Sequence, residues 1–284
     1  MIFKKLAFPP FSITAFCQGF MHLDGGAMFG VVPKVLWEKL SPSDSSNRIK
    51  MALNSLVIEN GKDVILVETG IGTTLKQKYL DMYGVEDKPD LFFALNELGI
   101  LPEDITIVVN THLHFDHCGG NTVMDHSGKV VPAFPKARYF IQKGEWEHAI
   151  QPNERDKASY LEENYLPLQS AGCLELIEGN VCISEGVETL LTPGHTAHHQ
   201  CVRIFYEKKS LLFLGDLVPM STHIGLPYIM SYDLYPIKTL ETKKKIYAKV
   251  LEEDMIVAFV HDPVHLFGRL EKKNNKFRFI PCYD

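Results

Sequence analysis

Residues 110–120, NTHLHFDHCGG, decide the fold, because they place three of the chain's twelve histidines within six residues. His112 and His114 stand two apart on an extended segment, so both side chains point to the same side. If the chain then turns, Asp116 and His117 aim at a second point nearby. Imidazole and carboxylate groups are suitable ligands for zinc and related transition metals. The stretch therefore predicts a metal site.

More ligands are expected downstream, because four residues cannot complete two metal sites. Five apolar runs lead directly into polar clusters: ILVETG, VVNTHLHFDH, TLLTPGHT, LLFLGD and VAFVHD. Strand ends placed side by side would bring these clusters to one edge, where ligands and catalytic groups commonly lie. We expect one metal at His112, His114 and His195, a second at Asp116, His117 and His261, and Asp216 bridging the two.

Short β-branched apolar runs alternate with helical patterns along the chain, which indicates an α/β or mixed-sheet protein with helices covering the sheets. No low-complexity linker interrupts the pattern, so we expect one domain over residues 1–284. Residues 1–20 are predicted to form the first strand. The other predicted strands are 55–58, 63–67, 105–109, 137–142, 188–191, 211–214 and 255–260, and the predicted helices are 90–98, 160–169 and 240–253.

The formal net charge of −6 argues against a nucleic-acid partner, because phosphate binding needs a local excess of Lys and Arg. The basic runs at 243–245 and 272–273 are predicted to be a solvated helix face and a hairpin tip. No stretch approaches the length of about 20 apolar residues that a membrane span needs. Six cysteines without CxxC pairs are expected to be reduced thiols, and the expected location is the cytoplasm.

The motifs THLHFDH, PGH, GD and a late HD, in that order, resemble the metallo-β-lactamase-fold hydrolase superfamily over nearly the whole chain. The resemblance implies an α/β (α+β) fold, a four-layer αββα sandwich with a dinuclear metal site at one edge between the two sheets. Two divalent metal ions are implied, with zinc expected and manganese or iron as alternatives. ETG places Glu68 where the family often has Asp, at a position that supports a ligand rather than binding the metal.

Several positions narrow the resemblance to small-molecule hydrolases. Zinc β-lactamases usually have Cys near the bridging position, whereas this chain has Asp216, and Cys118 is interpreted as a packed thiol. Flavin-coupled di-iron members carry Glu in place of His114. The predicted function is hydrolysis of a small-molecule ester-like bond, with a lactone favoured, by a metal-bridging hydroxide. The alternatives are a phosphodiesterase or phosphotriesterase, a glyoxalase-type thioesterase, and a non-enzymatic metal-binding protein.

The residue that assists the substrate oxygen is an open question in the sequence. Acyl-homoserine lactonases of this fold typically place a tyrosine three residues after the bridging aspartate, and this chain has Pro219 there. His223 is assigned the role, with Tyr228 and Tyr232 as alternatives. Asp116 is assigned a second, catalytic role, in which it accepts a hydrogen bond from the nucleophile.

Two segments are expected to shape the substrate pocket. Residues 24–34, DGGAMFGVVPK, resemble a segment of the lactonase-like branch, and residues 219–236 are predicted to form a loop over the pocket. The ligand loops 110–120, 193–199 and 213–223 contain no Lys or Arg, which favours an uncharged or weakly charged substrate. The sequence also allows the protein to form a homodimer. The expected pocket residues are Met28, Phe29, Trp37 and Tyr228, with packing under a loop as the alternative for the first three.

Overall fold

A computed structural model describes residues 2–86 and 90–282 of the chain. The strands are β1 Ile2–Phe8, β2 Phe11–Asp24, β3 Arg48–Glu59, β4 Val64–Val67, β5 Ile107–Val109, β6 Thr122–Met124, β7 Val130–Pro132, β8 Arg138–Gln142, β9 Leu174–Ile177, β10 Val181–Ser184, β11 Val187–Leu191, β12 Gln200–Tyr206, β13 Lys209–Phe213, β14 Ile256–Ala258, β15 Phe267–Lys273 and β16 Lys276–Pro281. The α-helices are α1 Gly25–Phe29, α2 Lys34–Trp37, α3 Gln77–Met82, α4 Leu91–Glu97, α5 Phe115–Cys118, α6 Lys143–Ala149, α7 Leu166–Ser170 and α8 Pro236–Glu252.

Two seven-stranded mixed sheets form the body of the protein. The first has the order β1-β2-β3-β4-β5-β8-β9 and the second has the order β10-β11-β12-β13-β14-β15-β16. In the first sheet β4, β5, β8 and β9 run parallel, and in the second β13 and β14 run parallel. Parallel neighbours end at the same edge of a sheet, which brings the loops after β4 and β5, and those after β13 and β14, to common positions.

Helices cover the outer faces of the two sheets, so the fold has four layers. One apolar cluster contains residues of both sheets, such as Ile58 of β3 and Val202 of β12, and lies between them. A second cluster packs Leu95 of α4 and Trp146 of α6 against the first sheet. A third packs Tyr247 of α8 against the second sheet. The αββα sandwich is confirmed, and the shared inner core supports the interpretation as one domain, which stays a prediction.

The N-terminal segment differs from its prediction of one strand over residues 1–20, because the described residues 2–20 belong to two strands. β1 and β2 are an antiparallel hairpin in which Phe8 pairs with Phe11. Pro9 and Pro10 lie between them, and neither residue has a backbone N–H to continue a ladder. β2 then continues to Asp24 and pairs with β3 along most of its length.

Two proline positions explain how the predicted helices differ from the observed ones. The predicted helix 160–169 is wrong, because only Leu166–Ser170 is α-helical and Pro167 lies in its first turn. α8 begins at Pro236, four residues before its predicted start. Proline favours the first helical turn, where an N–H has no partner within the helix. The predicted helix 90–98 is confirmed as α4, whose Asp90 side chain accepts a hydrogen bond from the Phe93 N–H.

The basic run 243–245 is only partly on a solvated face. Lys243 is 0% exposed, and its Nζ donates to the carbonyls of His223, Gly225 and Tyr228 at 2.7, 3.0 and 2.9 Å. The helix therefore anchors the chain after Asp216 through a buried ammonium group. Among the helices of residues 2–86 and 90–282, none is both long and apolar enough to cross a membrane. All six cysteines are within these ranges and are free thiols.

Candidate metal centre

The predicted convergence of strand ends is present in the structure. His112 and His114 follow β5, His195 follows β11, Asp216 follows β13 and His261 follows β14. All seven predicted ligands lie together at one edge of the sandwich, between 0 and 9% exposed. The two sheets are joined there by backbone hydrogen bonds from Gln200 N–H to the Thr111 carbonyl and from Ala52 N–H to the His261 carbonyl, both 2.9 Å.

Two separate three-residue groups have donor atoms within 4.8 Å of one another. The first group is His112, His114 and His195, in which His195 Nε2 lies 3.1 Å from His114 Nδ1. His112 Nε2 is buried with no hydrogen-bond partner among the described residues. Such a cluster of nitrogen atoms in a buried position fits a cation better than it fits a protein core, because buried polar atoms are otherwise paired.

The second group is Asp116, His117 and His261. His261 Nε2 lies 3.2 Å from His117 Nε2, and Asp116 Oδ2 lies 3.7 Å from His117 Nε2 and 3.6 Å from His261 Nε2. The short helix α5 places Asp116 and His117 on its first turn, directly after the extended segment that carries His114. The sequence predicts a turn after His114 that aims Asp116 and His117 at a second metal position, and α5 forms that turn.

Asp216 lies between the two groups and faces both. Its Oδ2 is 3.3 Å from His195 Nε2 and 3.5 Å from His117 Nε2, and its Oδ1 is 3.2 Å from His261 Nε2. Gly215 precedes it with φ 53°, and a Cβ there would lie 2.6 Å from His199 Nε2. A residue without a side chain is therefore needed for the backbone to present Asp216 at this point. The geometry is that of a carboxylate able to bridge two cations.

Three of the five histidines have their remote ring nitrogen hydrogen-bonded to an oxygen atom. Nδ1 of His112 lies 3.0 Å from Thr111 Oγ1, Nδ1 of His261 lies 2.9 Å from the Ala52 carbonyl, and Nδ1 of His195 lies 2.9 Å from Asp233 Oδ1. Nδ1 of His117 lies 3.4 Å from Glu68 Oε2, close enough for an ion pair but without a hydrogen bond. An acceptor on Nδ1 places the proton there and leaves Nε2 free to bind a metal. His114 is turned the other way and directs Nδ1 into the site.

Glu68 has the supporting position that the ETG motif implies. Its Oε1 accepts a 2.8 Å hydrogen bond from the Thr111 N–H, so the same carboxylate holds the ligand loop and faces His117. Glu68 has φ 65°, an unusual backbone conformation for a residue with a side chain. His199 supports the opposite side, since its neutral Nε2 accepts a 3.1 Å hydrogen bond from the Asp216 N–H. Burial lowers the pKa of His199 to about 3.

The protonation of the ligands differs between members of the cluster. Burial, together with the neighbouring imidazoles, lowers the pKa of His112 and of His114 well below the usual histidine value. Burial opposes charge on His117 and His195 too, but Asp216 and other carboxylates outweigh it and raise both pKa values. The carboxylates of the cluster thus stabilise positive charge on His117 and His195, and the same carboxylates would stabilise a bound divalent cation.

A cavity of ≈ 260 Å³ opens onto the cluster. His114, Asp116, His195, Asp216 and His261 form its polar end. Its apolar wall consists of Leu23, Met28, Met51, Phe115, Met230 and Leu234.

Of the expected pocket residues, Met28 lines the cavity, whereas Phe29, Trp37 and Tyr228 do not. These three form an aromatic cluster behind the wall, in which Phe29 stacks on Trp37 at 5.2 Å and meets Tyr228 edge-on at 6.0 Å. Their prediction as pocket residues is wrong, and for Phe29 and Trp37 the alternative of packing under a loop is observed. The reason is that α1 turns Phe29 inward, where it is 0% exposed.

His223 does not reach the cavity, so its predicted catalytic role is wrong. Its ring stacks on Phe29 at 4.4 Å, and its Nε2–H donates to the Met28 carbonyl at 2.8 Å. Burial lowers the pKa of His223 to about 3, which keeps the ring neutral. Of the residues proposed to replace the missing tyrosine at Pro219, Tyr232 alone lines the cavity.

Several residues at the site were not predicted from the sequence. Tyr83, Arg155 and Ser159 line the cavity although they lie far from every ligand motif. Arg155 lies outside the three ligand loops, which contain no Lys or Arg, and brings a cationic side chain to the cavity. Asp233, which holds His195, lies in the 219–236 loop, and only its chain position near Asp216 could have drawn attention to it.

Residues 51–261 match the Metallo-beta-lactamase superfamily. The chain therefore belongs to this superfamily and is a metal-dependent hydrolase. An N-acyl homoserine lactonase of Bacillus cereus is 28% identical over 231 residues, which cover 76% of this chain and 83% of that protein. The N-acyl homoserine lactonase AttM of Rhizobium radiobacter is 25% identical over 174 residues, 60% of this chain and 62% of that one.

Solved structures show the same fold. A probable metal-dependent hydrolase from Staphylococcus aureus has a TM-score of 0.89 and 27% identity, and the match covers 98% of this chain and 99% of that one. AidC, a dizinc quorum-quenching lactonase solved with a product, has a TM-score of 0.82 and 21% identity, with 99% and 98% covered. These likenesses agree with the four-layer fold.

Proposed function

We propose that the protein hydrolyses the ester bond of a lactone that carries an acyl substituent. The observation that carries the proposal is the cavity itself, in which a polar end of histidines and aspartates adjoins an apolar wall. The ester would lie at the polar end and the acyl group against Met28, Met51 and Phe115. Relatives such as the Bacillus cereus protein, named an N-acyl homoserine lactonase, support this substrate class.

Two divalent cations, with zinc expected, would be held by the two three-residue groups and by Asp216 between them. The unpartnered His112 Nε2 and the carboxylate-rich second group fit such ions. A pair of divalent cations supplies an acidified water as nucleophile and polarises the ester carbonyl. No serine or cysteine nucleophile is needed, and Cys118 is buried with its thiol on the Leu113 carbonyl at 3.3 Å.

The chain's own residues have three tasks in this proposal. Asp116, at the edge of the cavity, accepts a hydrogen bond from the attacking water and so orients it. Tyr232 donates a hydrogen bond to the substrate oxygen in place of the tyrosine that Pro219 replaces. Burial raises the pKa of Tyr232 to about 12, so its hydroxyl is protonated at neutral pH. The apolar wall excludes water from the acyl side. Hydrolysis adds one water across the ring C–O bond and yields a hydroxy carboxylate.

The experiment is a comparison of kcat/KM for acylated lactones and aryl phosphodiesters on the zinc and manganese forms. We expect lactones to be preferred, turnover to vanish with a chelator, and Tyr232→Phe to lower kcat. A preference of a hundredfold or more for the phosphodiester, about 2.7 kcal/mol in transition-state binding, overturns the proposal. The second candidate function is phosphodiester hydrolysis, which Arg155 favours because it brings a positive charge to the cavity.

Other expectations remain predictions. A glyoxalase-type thioesterase is distinguished by the same kinetic comparison with a thioester added. Chelator-sensitive turnover of any of these substrates would contradict a non-enzymatic metal-binding role. A homodimer and a cytoplasmic location also stay predictions.

A further inference from the structure

The mouth of the cavity carries a positive charge that the hydrolytic machinery does not use. Arg155 is the one Arg or Lys side chain among the described residues that line the cavity. It is exposed, whereas the seven predicted ligands at the closed end are 0–9% exposed. Arg155 is therefore on the solvent-exposed side of the cavity, whereas the predicted ligands are on its buried side.

The guanidinium group is held in place but is not neutralised. Its Nη2 donates to the Ser231 carbonyl at 2.8 Å, which ties it to the 219–236 loop. Within residues 2–86 and 90–282, no carboxylate forms an ion pair with Arg155. Its neighbour Asp156 also lines the cavity, but it forms no ion pair with Arg155: its Oδ2 lies 2.6 Å from His148 Nε2, and its buried Oδ1 has no hydrogen-bond partner among the described residues. One edge of a planar, permanently charged donor group thus remains available.

We propose that Arg155 recognises a carboxylate at the far end of the substrate's acyl substituent. A guanidinium fork matches the two oxygens of a carboxylate, and such charge-assisted pairs are stronger than neutral hydrogen bonds. A single Arg suits one negative charge, whereas a phosphate dianion would call for further cations. The inference rests on the proposed function for the position of the ester. It adds to that function a substrate class, an acylated lactone whose chain ends in an acid.

The binding test uses two lactams, which replace the ring oxygen by N–H and resist hydrolysis. Their acyl chains have the same length and end in a methyl group or in a carboxylate. Calorimetry on the metal-loaded protein gives Kd for both, independently of turnover. We expect the carboxylate lactam to bind wild type about tenfold more tightly than the methyl lactam, about 1.4 kcal/mol. The difference should shrink as ionic strength rises.

Arg155→Gln should weaken binding of the carboxylate lactam about tenfold and change the methyl lactam less than threefold. Arg155→Lys, which keeps the charge without the fork, should fall between these values. Lys157→Gln is the matched control, because it removes one charge from an exposed residue of the same segment outside the cavity lining. It should leave both Kd values unchanged.

Two outcomes overturn the inference. Equal weakening of both lactams by Arg155→Gln would mean that Arg155 only ties its segment to Ser231. Equal or tighter binding of the methyl lactam to wild type, or no binding of either, would also contradict carboxylate recognition. The corresponding lactones, assayed in parallel, report on the proposed function separately. If neither lactone is hydrolysed while the lactams bind as expected, the lactonase proposal fails and the role of Arg155 stands.

Discussion

Replacing Asp233 by Asn tests whether the 219–236 loop controls a metal ligand. Asp233 is buried, and its Oδ1 accepts a 2.9 Å hydrogen bond from His195 Nδ1. Asn keeps the size and an acceptor oxygen but removes the negative charge. We expect the affinity for the cation at His112, His114 and His195 to fall about 10–100-fold, the usual effect of losing such a partner.

The size of the effect follows from what the substitution leaves intact. The Leu234 N–H still donates to the His195 carbonyl at 3.0 Å, and the His195 side chain is 2% exposed, so the ring should keep its place. The loss is then mainly the charge that stabilises the Nδ1–H proton, about 1.4–2.7 kcal/mol for that fold-change. The second group, Asp116, His117 and His261, has no contact with Asp233 and should be affected less.

A competition titration against a chromophoric chelator resolves the two dissociation constants. Asp156→Asn is the matched control, because it neutralises another buried aspartate paired with a histidine, His148, at 2.6 Å. We expect Asp156→Asn to leave both constants near the wild-type values. An Asp233→Asn protein that binds both cations within twofold of wild type would refute the reasoning. An equal loss in the control would show a general effect of neutralising buried carboxylates.

Three further predictions concern stability. Lys243→Met should lower the free energy of unfolding by about 2–4 kcal/mol in urea titration, because three carbonyls lose their donor; a change no larger than that of exposed Lys245→Met would contradict it. The pKa of His223 in the folded protein is about 3. Below a pH of about 6.5 the unfolded chain takes up a proton at this residue and the folded chain does not. The free energy of unfolding of wild type should therefore fall by up to about 1.4 kcal/mol per pH unit as the pH is lowered. His223→Gln should remove that part of the acid dependence, and an unchanged slope would refute the assignment. Chelation should lower Tm, since a cation at about 100 times its Kd adds about 2.7 kcal/mol of stability; an unchanged Tm after verified metal removal would contradict a stabilising role.

The ligand cluster was predictable because its signal is local. Each of His195, Asp216 and His261 ends a short apolar run, and strand order in a layered fold brings such ends to one edge. Composition alone would not have placed them. The pattern HxHxDH also contains the change from extended chain to helix at Phe115, which the structure has as α5.

The cavity wall and mouth were not predictable in the same way. Phe29 and Trp37 are aromatic residues next to a glycine-rich turn, and nothing local decides whether they face the cavity or the core. His223 is polar and follows Asp216 closely, yet the Met28 carbonyl, 195 residues away in the chain, fixes its ring. Arg155 reaches the site through Ser231, 76 residues away. Such contacts depend on tertiary packing, which a single sequence does not encode in any short pattern.

The central claim, two cations held by seven residues with Asp216 between them, is tested most directly by metal content at saturation. Elemental analysis of protein loaded with zinc and then dialysed should give two ions per chain. Asp216→Asn should lower the retention of both ions together, because its oxygens face His195 of the first group and both His117 and His261 of the second. One ion per wild-type chain, with that value unchanged in His117→Ala, would contradict the dinuclear site.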